Sequence, residues 1–176
     1  MVGCSNTGMQ ESQRESMVIV LMGVTGSGKT TIGRLLSKEL GWKYYDADDF
    51  HPRANVKKMS SGIPLNDDDR RPWLETLSDL IRHCLERGEN AVLACSALKE
   101  SYREFLLVDE RVRLIYLKGD HGLIQKRLNA RRGHYMNPAL LDSQFETLEE
   151  PERDWHVDVS LSSDEIIKTI KSYLSY

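Results

Sequence analysis

The sequence predicts an α/β fold, a three-layer sandwich in which helices cover both faces of a five-stranded parallel sheet. The first observation is that short apolar segments alternate along the chain with longer segments whose apolar residues recur at helical spacing. The second is that the first apolar run, 17–22, leads through a glycine-rich turn directly into an amphipathic helix. Repeated strand and helix units form parallel sheets, because each crossover helix returns the chain to the same edge.

The individual elements follow from periodicity and from their end signals. Strands are predicted at 17–22, 42–45, 91–94, 113–117 and 157–161. Helices are predicted at 27–40, 54–60, 67–87, 98–107, 121–131, 138–148 and 163–174. Gly41 suits the end of the first helix, Pro72 an early position of the third, and Asp120 the cap of the fifth.

Composition limits the function classes that remain open. A length of 176 residues suits one domain with a full hydrophobic core. The net charge of −3 provides no basic field for nucleic acid, and no apolar run is long enough to cross a membrane. The cysteines are few, scattered and odd in number, so we expect a reducing, cytoplasmic compartment. Residues 1–16 are polar and aperiodic, which predicts a disordered leader before a domain at 17–176.

The glycine-rich turn carries the strongest functional signal. Gly23, Gly28, Lys29 and Thr30 fit the phosphate-loop pattern G-x-x-x-x-G-K-[ST], with a strand before it and a helix after it. Backbone N–H groups of such a turn surround an anion, so we expect ATP to bind here; the alternative is an ordinary glycine turn. Lys29 would reach the β- and γ-phosphates, and the Thr30 hydroxyl would bind Mg²⁺. The residues predicted to bind nucleotide are Gly23, Val24, Thr25, Gly26, Ser27, Gly28, Lys29, Thr30 and Thr31.

An acidic cluster, 46–49, follows the second predicted strand. Ligands of open α/β sheets bind at the carboxyl ends of the strands, so this cluster is expected beside the phosphate loop. One carboxylate there can hold Mg²⁺ through water, and another can accept the proton of an attacking hydroxyl. If the strand continued, Asp46 and Asp48 would share one face. The alternative is an acidic turn in solvent.

Arginines cluster at two places along the chain. Arg70 and Arg71 precede the apolar stripe of the third helix and could meet a polar substrate or simply be solvated. Arg127, Arg131 and Arg132 precede Gly133, which suits a mobile lid whose arginines stabilise phosphoryl charge. The alternative for this second group is a basic last turn that complements the helix dipole.

Several segments together resemble the gluconokinase family. They are GVTGSGKT at 23–30, DADDFHP at 46–52, GIPL at 62–65, DRRPWL at 69–74, ACSALK at 94–99 and SQF at 143–145. The phosphate loop occurs in many proteins, whereas the segments at 46–52 and 62–74 are far more specific. The resemblance extends over about 18–174, nearly everything except the leader.

The resemblance implies transfer of the γ-phosphate of ATP to the 6-hydroxyl of D-gluconate, with Mg²⁺, in a homodimer whose fold is similar to shikimate kinases. It implies Asp48 as the base, by analogy with the second aspartate of shikimate kinases, and Asp46 as the Mg²⁺ residue through water. It implies a lid at about 131–147. The implied arginine roles are a carboxylate clamp at Arg70, an adenine-side contact at Arg127 and a catalytic lid residue at Arg131, with Arg132 as the alternative for the γ-phosphate contact. Weaker substrate candidates are His51, Lys58, Lys99, Tyr102 and Arg103.

Two alternatives remain open at this stage. One is a related kinase that phosphorylates shikimate or another sugar acid. The other is a nucleotide-binding sensor or scaffold without turnover, although Lys29 and the acidic pair of a working kinase are both present. A GTPase is disfavoured because the chain contains no Asn-Lys-x-Asp segment for reading guanine.

Overall fold

The computed structural model describes residues 15–130, 138–152 and 154–174. The strands are β1 (Val18–Met22), β2 (Lys43–Asp46), β3 (Ala91–Ala94), β4 (Val112–Lys118) and β5 (Trp155–Asp158). The helices are α1 (Lys29–Leu40), α2 (Arg53–Ser60), α3 (Asp67–Glu86), α4 (Glu100–Leu106), α5 (His121–Ala130), α6 (Pro138–Thr147) and α7 (Ser163–Tyr173). A 3₁₀ turn, Ala47–Phe50, joins β2 to the segment before α2.

The five strands form one parallel sheet in the order β2-β3-β1-β4-β5. Strand β1 is central and pairs on both sides, for example at Val20 with Leu93 of β3 and with Leu114 of β4. All five residues of β1 are buried, as expected for a parallel strand covered on both faces. The carboxyl ends of the strands therefore meet at one edge, directly below the phosphate loop.

Helices cover both faces of the sheet, which confirms the predicted three-layer α/β sandwich. Alternate residues of β1 enter opposite cores: Val18, Val20 and Met22 pack with apolar residues of α3 and α4, whereas Ile19 and Leu21 pack with those of α1, α5 and α7. This division follows from the two-residue period of a strand. Within the described ranges, no helix combines the length and the apolar character that a bilayer crossing needs.

Two expected element boundaries differ from the structure. The last strand was expected at 157–161 but lies at Trp155–Asp158, because the Asp158 side chain accepts a hydrogen bond from the Ser160 N–H at 2.8 Å and turns the chain. Strand β2 ends at Asp46, whose carboxylate accepts from the Asp48 N–H at 3.1 Å and starts the 3₁₀ turn. The strand therefore does not continue to Asp48, and the condition under which Asp46 and Asp48 would share a strand face is not met.

Residues 1–14 and 131–137 lie outside the described residues, so the predicted leader and the first part of the predicted lid at 131–147 stay predictions. The remainder of that lid, 138–147, coincides with α6. Two further boundaries shift slightly. Helix α1 begins at Lys29 because Gly28 has a left-handed φ of 99°, and α4 is shorter than the predicted 98–107.

A close approach between α1 and β2 generates the first prediction. A Cβ at Gly33 would lie 2.6 Å from the Tyr44 ring, so we expect Gly33→Ala to destabilise the fold by about 1–3 kcal/mol. Helix propensity alone would give the opposite sign. Urea unfolding of Gly33→Ala, with and without Tyr44→Leu to remove the ring, measures this. Stabilisation by Gly33→Ala in the otherwise unchanged protein would contradict it.

Candidate active site

The phosphate loop connects the buried end of β1 to the first turn of α1. Gly23 has a φ of 153°, and a side chain there would collide with the Leu117 carbonyl at 2.9 Å, so the turn requires glycine. Gly28 precedes α1 with a left-handed φ, and no side chain caps the helix. The first N–H groups of α1, with the positive end of its dipole, therefore face the loop and favour an anion.

Two side chains of the loop are arranged for a phosphate chain. The Lys29 Nζ donates to the Gly23 and Val24 carbonyls, both at 2.9 Å, so the ammonium group lies over the loop. The Ser27 hydroxyl is buried and has no hydrogen-bond partner among the described residues. A buried hydroxyl without a partner is unfavourable, and an oxygen of a bound phosphate would satisfy it. The loop residues thus fit the nucleotide that their sequence predicts.

The Asp46 carboxylate lies next to the first turn of α1. Its Oδ2 accepts from the Thr30 hydroxyl at 3.5 Å and from the Tyr44 hydroxyl at 3.3 Å. Asp46 and Thr30 together present only oxygen atoms, which is the donor type that Mg²⁺ prefers. The structure thus brings both predicted Mg²⁺ residues together.

Asp48 is the second residue of the 3₁₀ turn and lines the same cleft. Its side chain is 86% exposed within the open cleft, and the nearby protein removes only part of the solvent around the carboxylate. This partial desolvation, together with the negative charge of Asp46, raises its pKa above the ordinary value, and His51 and Lys29 counteract only part of the rise. A carboxylate with a raised pKa is a stronger base, which suits proton acceptance.

A single cleft of about 930 Å³ joins the phosphate loop to the region between α2 and α3. The residues that line it include Lys29, Thr30, Asp46, Asp48, His51, Arg70, Trp73 and Tyr102. This volume accommodates a small polar molecule next to a phosphate chain. The residues predicted from three distant stretches of sequence thus face one space.

Aromatic stacking holds His51 against Trp73. Its ring stacks on Trp73 at a centroid distance of 4.3 Å, and only 6% of its side chain is exposed. Trp73 is fixed in turn, because its Nε1–H donates to the Ala47 carbonyl at 2.7 Å. Burial lowers the pKa of His51, and Arg70 lowers it further, whereas Asp48 raises it. Burial has the largest influence, so the imidazole is neutral near pH 7.

Three predicted substrate residues do not line the cleft. Lys58 pairs with Asp69 at 2.6 Å, and Lys99 pairs with Asp67 at 2.9 Å. Arg103 is buried and donates to the carbonyls of Ala97 and Leu98 at 3.0 and 3.1 Å, so it holds the segment before α4. Sequence periodicity and charge cannot show whether a cation pairs with another group of the protein or binds a substrate.

Of the two arginines predicted near the end of α5, the structure describes only Arg127. Arg127 lines a second cavity of about 310 Å³ behind the phosphate loop, together with Gly26, Ser27 and Thr31, and it donates to the Val159 carbonyl. Its role as an adenine-side residue stays a prediction. Arg131 lies outside the described residues, so its catalytic role stays a prediction.

Gln144 and Trp73 are site residues to which the sequence analysis assigned no role. The Gln144 Oε1 accepts from the Thr25 N–H of the phosphate loop at 2.6 Å, which connects α6 to the loop. Trp73 stacks against the His51 ring, whereas helical spacing alone places it only on the apolar face of α3. Both residues lie in the segments that carry the family resemblance, which was the one available signal for them.

Neither described cysteine can act as a nucleophile at neutral pH. Complete burial raises the pKa of Cys95 to about 12, so its thiol remains protonated despite its place beside the cleft. Cys84 packs in the core with the apolar face of α3, as its position in the stripe indicates. Phosphoryl transfer needs no protein nucleophile in any case.

Comparison with known proteins places this geometry in a family. The model for the shikimate kinase family matches residues 25–170. A thermoresistant gluconokinase of Escherichia coli K12 is 43% identical over 147 residues, which cover 83% of this chain and 84% of that protein. A gluconokinase of Gluconobacter oxydans is 47% identical over 77% of each chain. The chain belongs to the gluconokinase family.

A solved structure in the gluconokinase family supports the same assignment. The gluconokinase from Sinorhizobium meliloti superposes with a TM-score of 0.82 at 38% identity, over 92% of this chain and 93% of that one. A shikimate kinase from Bacteroides thetaiotaomicron has a TM-score of 0.64 at 15% identity and shares the fold. The family resemblance deduced from short segments is thereby confirmed.

The contact between His51 and Asp48, with Nε2 3.9 Å from Oδ1, generates the second prediction. The negative charge of Asp48 favours the protonated imidazole, so Asp48→Asn should lower the pKa of His51 further. NMR titration of the imidazole resonances measures this, with Asp49→Asn as the matched control on the same turn. An unchanged or raised His51 pKa in Asp48→Asn would contradict the electrostatic picture.

Proposed function

We propose that the protein transfers the γ-phosphate of ATP to the 6-hydroxyl of D-gluconate, giving 6-phospho-D-gluconate and ADP. The observation that carries the proposal is the single cleft that contains a phosphate loop, a carboxylate with a raised pKa and an arginine. Membership in the gluconokinase family supports the choice of acceptor.

The phosphate loop would bind the triphosphate through its N–H groups and through Lys29. Arg127, in the smaller cavity behind the loop, would contact the adenine side. Thr30 and Asp46 would hold Mg²⁺, partly through water, because both present oxygen atoms at the end of the phosphate chain. The ion, when bound, neutralises charge on the β- and γ-phosphates. Lys29 adds to this neutralisation from the protein side.

Asp48 would orient the 6-hydroxyl and accept its proton. The 6-oxygen forms a bond to the γ-phosphorus, and the bond from this phosphorus to the bridging oxygen of ADP breaks. The proton moves from the hydroxyl to the Asp48 carboxylate, whose raised pKa favours the transfer. His51, neutral and fixed on Trp73, would limit the positions that the acceptor chain can take.

Arg70 would bind the carboxylate of D-gluconate at the opposite end of the acceptor. It lines the cleft, and a guanidinium group binds a carboxylate through two parallel hydrogen bonds. A neutral sugar would leave the charge of this guanidinium without an anionic partner in the cleft, which disfavours it as an acceptor. Arg70 and Asp48 would thus bind the two ends of one linear acceptor molecule.

We also infer, from the family resemblance, that the enzyme is a homodimer that uses Mg²⁺ and, from its few and scattered cysteines, that it is cytoplasmic. The net charge of −3 supports the absence of nucleic acid and of acidic membrane surfaces among its partners.

Release of ADP from ATP and Mg²⁺, with and without D-gluconate, tests the proposal, with shikimate and other aldonic acids as controls. We expect Lys29→Ala and Asp48→Asn each to reduce the gluconate-dependent rate by about 100-fold or more, because each removes transition-state stabilisation or proton acceptance. Lys38→Ala, at the exposed end of α1, and Asp49→Asn are matched controls that should retain the rate.

Faster turnover with shikimate or another sugar acid would replace the acceptor while keeping the reaction type. ATP binding without any acceptor-dependent release of ADP would instead favour a nucleotide sensor.

A further inference from the structure

Asp67, at the start of α3, is the centre of a polar cluster behind the cleft. Its Oδ1 accepts a short hydrogen bond from the Tyr102 hydroxyl, and both of its oxygens accept from the Lys99 Nζ at 2.9 Å. Tyr102 is buried and lines the cleft, whereas Asp67 does not. The Asp67 carboxylate is therefore connected to the cleft through Tyr102.

The cluster reaches Arg70 through the ring and the hydroxyl of Tyr102. The guanidinium carbon of Arg70 lies 5.6 Å from the centre of the Tyr102 ring, and the Arg70 Nη1 donates to the Tyr102 hydroxyl at 3.4 Å. Tyr102 has one hydroxyl hydrogen, and it is donated to Asp67. The lone pairs of that oxygen are therefore left to accept from Arg70, which gives the chain of hydrogen bonds one direction.

These contacts leave one edge of Arg70 open to a ligand. Its Nη1 donates to the Leu65 carbonyl at 2.5 Å as well as to Tyr102. Its Nε and Nη2 have no partner within 15–130, 138–152 and 154–174. Nε and Nη2 form one of the two edges through which a guanidinium binds a carboxylate with two parallel bonds.

We propose that Asp67 is a positioning residue for the acceptor: through Tyr102 it holds Arg70 with its open edge ready for the carboxylate of the sugar acid. The inference rests on the proposed function and deepens it. Lys99 has a supporting role, because it neutralises Asp67, which would otherwise repel an anionic acceptor. Lys99 was predicted to bind substrate directly, whereas here it acts through Asp67.

The expected effect is on acceptor binding. An arginine held in place before binding loses less conformational freedom when the acceptor arrives, so the affinity for D-gluconate rises while nucleotide binding is unaffected. Asp67→Asn should raise the KM for D-gluconate by about tenfold, the factor expected for one lost hydrogen bond to a charged group. The KM for ATP should remain unchanged, and kcat should fall much less than the gluconate KM rises.

The chain provides a matched control beside Asp67. Asp68 lies in the same first turn of α3 and is exposed. Its side chain makes no hydrogen bond or ion pair among the described residues. Asp68→Asn removes the same charge from the same end of the helix dipole, so any effect that depends on the dipole alone will be equal in both variants. Tyr102→Phe removes only the connecting hydroxyl and should reproduce the direction of the Asp67→Asn effect.

Steady-state kinetics of Asp67→Asn, Asp68→Asn and Tyr102→Phe, each also combined with Arg70→Ala, test the proposal. We expect Asp67→Asn to have little further effect on gluconate kcat/KM once Arg70 is absent, because the two residues act as one unit. Equal gluconate KM values in Asp67→Asn and Asp68→Asn, a parallel rise of the ATP KM, or full additivity with Arg70→Ala would overturn the proposal.

A measurement without substrate separates this inference from the proposed function. NMR relaxation of the Arg70 Nε–H group should show an ordered side chain in the unmodified protein and in Asp68→Asn, and a mobile one in Asp67→Asn. Unmodified protein that turns over no D-gluconate refutes the proposed function and the substrate part of this inference. An Arg70 side chain equally ordered in all three proteins refutes the positioning role, whatever the acceptor.

Discussion

Binding of a phosphate chain by backbone N–H groups is the constraint on which the rest of this structure depends. Those N–H groups converge only if the chain turns sharply between a buried strand and a helix, and Gly23 and Gly28 have the positive φ values that such a turn requires. Because β1 pairs on both sides, the position of the loop is fixed by the sheet itself. Every other group in the cleft is placed relative to this turn.

The parallel sheet brings chemically different groups to the loop. Asp46 ends β2, the segment after β3 supplies a wall of the cleft, and both strands end at the same edge. The helix α3 then adds Arg70 and Trp73 to the lining of the same cleft. Two carboxylates and the Arg70 guanidinium thus line one space, which suits the proposed pairing of a phosphate donor with an anionic acceptor.

The start of α3 is joined to its neighbouring elements by ion pairs outside the cleft lining. Lys58 with Asp69 and Lys99 with Asp67 are ion pairs that do not line the cleft, and they connect α2 and α4 to the start of α3. Asp69 also completes the capping box with Asn66, so one carboxylate joins helix initiation to the neighbouring helix. The start of α3 is therefore tied to α2, to the residue before α4 and to its own capping residue.

The sequence by itself determined the fold class, the phosphate loop and the two aspartates, because each depends on local spacing: alternation, helical period and a glycine pattern between a strand and a helix. It could not separate Arg70, which lines the cleft, from Lys58, Lys99 and Arg103, which do not, since all four are cations that the family resemblance implied as substrate residues. Only the tertiary structure decided this, because an ion pair such as Lys99 with Asp67 forms between residues far apart in the chain. The same reason applies to Gln144, whose contact with Thr25 exists only once α6 lies against the loop.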